Sequence, residues 1–195
     1  MDMDTLLNFS GGIDSTYCLW RYLKENRDKT LLVHHIHLEN NDRRVKYESL
    51  AVDNVLSWLR SQGLTNFKYI ESRLDYGTIH PIVWDSAVVG FFTGLVLTNR
   101  KYELKYIISP TPKDEVERLG AELERRRVKS SLVRKSISQK ELEVLFPMVH
   151  LYKKDIIQEM PEELFRLCWY CRHPKNGNVC NRCHTCLQVN SALEG

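Results

Sequence analysis

The chain has 195 residues, 43% hydrophobic and 27% charged, enough for one well-cored domain. No apolar run approaches the roughly 20 residues that a membrane helix needs, Met1-Asp2-Met3-Asp4 reads as no signal peptide, and a net charge of +3 is too small to argue for nucleic acid. Six cysteines, five of them between Cys168 and Cys186, favour a metal site over scattered disulfides and hence a reducing cytoplasm.

Thr5 to Phe9 reads as a buried strand that breaks at Ser10-Gly11-Gly12, and Asp14 and Ser15 open an apolar-periodic helix through Leu19, Trp20 and Leu23. Two glycines let the backbone turn tightly and approach a ligand with no Cβ in the way. The freed N–H groups and the helix N-terminus form a site for phosphate oxygens. Ser10, Ser15 and Thr16 add hydroxyl donors, and Asp14 is suited to hold Mg²⁺. A lone Gly-Gly is an ordinary turn, but here the whole string Ser10-Gly11-Gly12-Ile13-Asp14-Ser15 follows a strand. It lacks the lysine of the common kinase and GTPase loop. It resembles the pyrophosphate loop of the ATP pyrophosphatase (PP-loop) superfamily, whose enzymes split ATP between the α and β phosphates and attach AMP to a substrate oxygen. The resemblance implies ATP use.

Thr30 to Leu38 reads as a second buried strand carrying His34, His35 and His37. His35 and His37 share one face and His34 the other, with no carboxylate or cysteine nearby to complete a metal cage. In a parallel α/β sheet the end of this strand flanks the nucleotide, so His37 to Asn40 are expected to line the adenine or ribose. A polar turn, Glu39-Asn40-Asn41-Asp42, leads to a helix with Leu50, Val55, Leu56 and Leu59 on its apolar face, ending at Gly63. Phe67 to Ile70 is the third strand, Ser72 to Pro81 a loop, and Asp85 or Ser86 caps a helix apolar nearly all round from Val88 to Leu97. Gly90 and Gly94 on that helix let another backbone approach, which favours a homodimer over simple packing on the chain's own sheet. Leu104 to Ile108 is the fourth strand. The alternation predicts an α/β fold with a doubly wound parallel sheet.

From Lys113 to Lys140 the chain is highly charged, and Glu122 with Arg126 fits a solvated helix laced with i,i+4 ion pairs better than a basic binding patch. Phe146 to Leu151 holds a proline that argues against a central strand, and Lys153 begins another short helix. The organisation is one nucleotide-binding domain, residues 1–167, with a C-terminal appendage, residues 168–195, packed on it.

The appendage presents Cys168, Cys171, Cys180, Cys183 and Cys186, with His173 and His184 among them. Cys180-x-x-Cys183-x-x-Cys186 has the short spacing of a zinc knuckle. Four thiolates close a tetrahedral site, which makes it structural. Five cysteines compete for four places, and an iron–sulfur cluster ranks below zinc.

Together these blocks resemble 7-cyano-7-deazaguanine synthase of the queuosine pathway. Phe9, Ser10, Gly11, Gly12, Ile13, Asp14, Ser15, Thr16, Tyr17, Cys18 and Leu19 match that family's nucleotide loop. Phe146-Pro147-Met148 followed by Lys153 matches a second segment, and Trp169-Tyr170-Cys171 matches its Trp-x-Cys. The resemblance implies an adenine nucleotide alpha hydrolase-like fold and selects Cys171, Cys180, Cys183 and Cys186 as Zn²⁺ ligands, leaving Cys168 out. It also implies a reaction: ATP, Mg²⁺ and ammonia turn the carboxylate of 7-carboxy-7-deazaguanine into a nitrile. Lys153 is the candidate for stabilising charge on the α-phosphate, with Asp14 and Ser15 beside it, in a family that is commonly dimeric. Two segments depart from the family: Val83-Trp84-Asp85-Ser86 and Pro110-Thr111-Pro112-Lys113-Asp114-Glu115 stand where it has deazaguanine-pocket residues. The acceptor is therefore less firmly implied than ATP and zinc. Adenylation of another carboxylate or amide, a tRNA-modifying PP-loop enzyme, and a nucleotide-binding subunit that docks a partner remain as rival readings.

Overall fold

The computed structural model describes residues 3–39, 44–75 and 85–194. Five parallel strands form one sheet: β1 (Thr5–Asn8), β2 (Leu31–Glu39), β3 (Phe67–Asp75), β4 (Tyr106–Ile108) and β5 (Glu143–Leu145), in the order β3-β2-β1-β4-β5. The chain winds outward from β1 in both directions, so the order reverses between β1 and β4. Crevices at such a reversal are where open α/β sheets bind ligands.

Alternation across the pleat decides the two layers. Leu7, Val33 and Ile108 turn to one face, under α1 (Ile13–Glu25), α2 (Val45–Ser61) and the later helices α6 (Lys153–Glu159), α7 (Glu162–Leu167) and α8 (His184–Glu194). Leu6, Leu32 and Ile107 turn to the other, against Val96 and Leu97 of α3 (Asp85–Thr98). Two highly charged helices, α4 (Lys113–Leu119) and α5 (Ala121–Ser138), complete the chain, α5 packing outside α3.

Several expectations change. β3 runs through Asp75, five residues beyond Ile70, because its polar half pairs residue for residue with β2, from His35 with Glu71 to Glu39 with Asp75. Leu50 is 58% exposed and is not part of the core face of α2. The backbone that approaches the α3 glycines belongs to α5 of the same chain. A Cβ on Gly90 would lie 2.5 Å from the Ser130 carbonyl oxygen, and one on Gly94 would lie 2.9 Å from Ile137 Cβ. The glycines therefore give no argument for a second chain. Asn40, Asn41, Asp42, residues 76–81, Val83 and Trp84 lie outside the described residues.

The histidines of β2 are held by hydrogen bonds. His34 contacts Asn8 Oδ1 at 3.2 Å and Ser72 Oγ at 2.9 Å. His35 Nδ1 donates to the Phe9 carbonyl at 2.8 Å, which leaves its buried Nε2 bare and the ring neutral. Burial pushes the pKa of each down to about 4, against about 6.5 in an unfolded chain. The unfolded state thus binds more protons between pH 4 and 6.5. The stability is fully present above about pH 6.5 and is lost as the pH falls towards 4. At about 1.4 kcal/mol per pH unit, one such histidine removes roughly 3 kcal/mol over that window. Urea midpoints measured from pH 7 to 4.5 are expected to fall, and His34→Gln is expected to flatten the slope; an unchanged slope in that variant would refute the assignment.

Candidate functional site

The glycine turn after β1 is built by crowding. Gly11 takes φ +75°, and a Cβ there would lie 3.0 Å from the Glu48 carbonyl oxygen and 3.1 Å from the Val52 amide nitrogen. With α2 crossing this close, only glycine fits. Ser15 Oγ donates to the Gly12 carbonyl at 3.1 Å and stands 3.0 Å from Ser10 Oγ, which accepts the Gly12 N–H at 3.3 Å. Gly12 is the N-cap of α1 and has no side chain to satisfy the N–H groups of the first turn. Those donors are available to an anion.

Asp14 and Lys153, given separate roles from sequence, form one ion pair across 139 residues. Lys153 opens α6 and is 5% exposed, while the Asp14 side chain is 25% exposed at the mouth of the turn. Both line a cleft of about 500 Å³ together with Ser10, Gly12, Ile13 and Ser15.

Three further elements wall this cleft, and two of them include Asp85 and Pro110 from the segments that depart from the resembled family's pocket. On the β2 side Arg44, 6% exposed, pairs with Asp85 and with Glu48 at 3.3 Å, and Arg172 reaches Asp85 at 3.9 Å. On the β4 side stand Ser109 and Pro110, with Arg126, Arg127 and Arg134 from α5. The third wall is Trp169 and Tyr170. The Trp169 N–H donates to the Gly11 carbonyl at 2.9 Å, and its indole stacks on Tyr47 at 4.5 Å and 15°. The segment leading into the cysteines thus braces the glycine turn.

Six proposed nucleotide contacts, Gly11 among them, do not line the cleft. Thr16, Tyr17, Cys18 and Leu19 are at most 2% exposed, because past its first turn α1 rotates them onto the sheet. Burial raises the Cys18 thiol pKa. His37 turns instead to Ser49 Oγ at 2.7 Å and Glu71 at 3.3 Å. Gly11 contributes its turn and its bond to Trp169. Phe9 lines the cleft.

The sulfurs of Cys171, Cys180, Cys183 and Cys186 all lie within 4.8 Å of one another, and all are free thiols. Cys180 and Cys186 are 3.9 Å apart and Cys183 and Cys186 3.4 Å, near the roughly 3.8 Å edge that four sulfurs at about 2.3 Å from one ion define. The Cys180 N–H donates to Cys171 Sγ and the Cys183 N–H to Cys180 Sγ. Backbone donors, Arg182's first, lower the Cys180 pKa to about 6, whereas burial raises Cys171 and Cys186. Four thiols this close ionise together only when a cation joins them. Cys168 stands apart: it is buried against the Leu164 carbonyl, and desolvation pushes its thiol up to about 12.

No family model and no curated protein sequence matches the chain. Its structure is similar to that of the U34-tRNA thiolase NcsA from Methanococcus maripaludis, solved with its 4Fe-4S cluster, at a TM-score of 0.57 and 11% identity. The likeness covers 98% of this chain and 64% of that one. At this identity it establishes the fold: a parallel α/β sheet with helices on both faces and, here, a C-terminal four-cysteine knuckle suited to a metal.

Proposed function

We propose that the chain is a PP-loop ATP pyrophosphatase that adenylates a small carboxylate, with 7-carboxy-7-deazaguanine as the acceptor to which the sequence resemblance points. One observation carries this reading: a phosphate-cradling turn at the strand-order reversal has an Asp14–Lys153 pair at its mouth. Asp14 would hold Mg²⁺, and Lys153, already desolvated, would stabilise the negative charge that develops on the α-phosphate. Bound Mg²⁺ would shield the phosphates.

The acceptor carboxylate oxygen attacks the α-phosphorus and pyrophosphate leaves, giving the acyl adenylate. Ammonia attacks the acyl carbon, AMP departs, and an amide and a proton result. A second ATP adenylates the amide oxygen with loss of pyrophosphate; cleavage of that C–O bond releases AMP and both amide protons and leaves the nitrile. The chain's task in each round is to position the oxygen and stabilise charge on phosphorus.

The cysteine geometry fits one zinc ion, which would supply structure and no open position for chemistry. A cubane cluster binds each thiolate to a different iron and spreads the sulfurs more widely, so the 4.8 Å limit supports zinc. The test of the activity is direct. Protein, MgATP, ammonium and 7-carboxy-7-deazaguanine are expected to yield AMP, pyrophosphate and a product of nitrile mass. AMP and pyrophosphate with no nitrile would remove this acceptor and keep adenylation.

A second reading is modification of tRNA, favoured by the fold likeness to a tRNA thiolase. Specific, salt-dependent binding of tRNA, with sulfur or amine transfer to it, would establish that reading in place of the first.

A further inference from the structure

The arginines of α5 were expected to be a solvated, self-paired face. Only part of them is. Arg125 and Arg126 pair with Glu122 at 2.7 and 3.1 Å as expected, but Arg126, Arg127 and Arg134 also line the cleft. Arg134 is 7% exposed. Its Nη2 donates to Ser131 Oγ at 3.2 Å, its buried Nε has no partner, and among the described residues no carboxylate lies within ion-pair distance. Arg127 lies 4.3 Å over the Phe146 ring with Nη1 3.8 Å from Glu124, and its Nε and Nη2 are buried without partners.

Arg44, on the opposite wall and equally buried, shows the ordinary arrangement: it is clamped by Glu48 and Asp85. A guanidinium cannot shed its proton to escape burial. An uncompensated buried cation therefore destabilises the free protein, and a ligand anion relieves it. The close packing of α5 on α3 explains how the cations reach the cleft. Gly94 leaves the Arg134 carbonyl oxygen 3.1 Å from the place of its missing Cβ, and Gly90 does the same at Ser130. The glycine stripe seats α5 low enough for its arginine row to form a cleft wall.

We propose that Arg134 and Arg127 receive an anionic group, carboxylate or phosphate, of the acceptor substrate, on the β4 side of the cleft and apart from the Ser10–Ser15 turn that takes ATP. The inference rests on the reading that this turn binds the nucleotide. The planar forks match either anion bidentately, and burial of Arg134 suits a terminal group of a small molecule rather than a polymer lying across an open surface.

The test uses the whole chain and Arg134→Met, which keeps an unbranched apolar stem. Thermal midpoints are followed on titration with inorganic phosphate and, separately, with benzoate, each with and without saturating Mg²⁺–α,β-methylene-ATP to occupy the turn. The expected result is that at least one anion raises the wild-type midpoint with nucleotide present, and that Arg134→Met weakens that anion at least tenfold. Its affinity for the nucleotide analogue is expected to stay within twofold, and its ligand-free midpoint not to fall. Which anion acts separates a phosphorylated acceptor from a carboxylate. No response to either anion overturns the proposal, as does an equal response in the variant. A matching loss of nucleotide affinity assigns the arginines to ATP and overturns it too; a response to tRNA alone transfers the site to RNA phosphates and also overturns it. If the analogue does not bind the wild type at all, the nucleotide reading falls, and the anion titration without nucleotide still decides the role of Arg134.

Discussion

Lys153→Met is expected to leave a folded protein that has lost release of pyrophosphate from ATP, by about 10²–10³-fold or more. The side chain is 6% exposed and its partner Asp14 is 25% exposed. Without the ammonium, water reaches the Asp14 carboxylate, so the stability cost stays well below the roughly 3–5 kcal/mol of breaking a fully buried pair. Asp14→Asn is the complementary variant. It strands a buried ammonium, so it should cost more stability than Lys153→Met and should abolish Mg²⁺-dependent turnover. Product analysis fixes the chemistry. AMP with pyrophosphate supports attack at the α-phosphorus, whereas ADP with phosphate would move cleavage to the γ-phosphate and end the PP-loop assignment. Retention of wild-type turnover in Lys153→Met would remove that residue from the reaction.

The second large effect is expected at the cysteines. Cys183→Ala should take the metal content from about one zinc per chain to none and lower stability as well as activity. Apparent zinc affinities of about 10–16 kcal/mol in finger peptides set a ceiling. At this chain length each kcal/mol moves Tm by about 2–4 °C, so even a loss of ~4 kcal/mol shifts it by roughly 10 °C. Coupling to the cleft follows from Trp169, two residues before Cys171, whose N–H holds the Gly11 carbonyl. Loss of the metal should therefore weaken nucleotide binding, the more so because Cys171 itself lines the cleft. Metal analysis decides the ligand set: unchanged zinc in Cys183→Ala refutes it, and iron with acid-labile sulfide replaces zinc by a cluster. Cys168→Ala, changing a thiol raised to about 12, is expected to keep the metal.

Much of this protein is local in origin. Apolar runs identified four of the five strands and missed the short β5 (Glu143–Leu145), and the Ser10-Gly11-Gly12-Ile13-Asp14-Ser15 string placed a glycine turn after the first of them. The Cys171, Cys180, Cys183 and Cys186 set, selected by resemblance, is the set whose sulfurs converge. What failed was local evidence asked about distant partners. The polar half of β3 shows no apolar pattern because it borrows its hydrogen bonds from β2. Residues 16–19 look like a continuation of the nucleotide loop, but helical rotation carries them into the core.

Periodicity reveals that a helix face is apolar or small, and it says nothing of which element covers it. Gly90 and Gly94 therefore announced a close backbone, and only the packing identified it as α5. Charge pairing has the same limit. Arg126 beside Glu122 reads as a surface ladder along one helix, whereas the inward turn of Arg134, the Asp14–Lys153 pair and the Trp169–Gly11 bond depend on strand order. Strand order brings residues more than a hundred positions apart to one crevice; the sequence determined the groups that can bind and react, and the tertiary structure decided which of them meet.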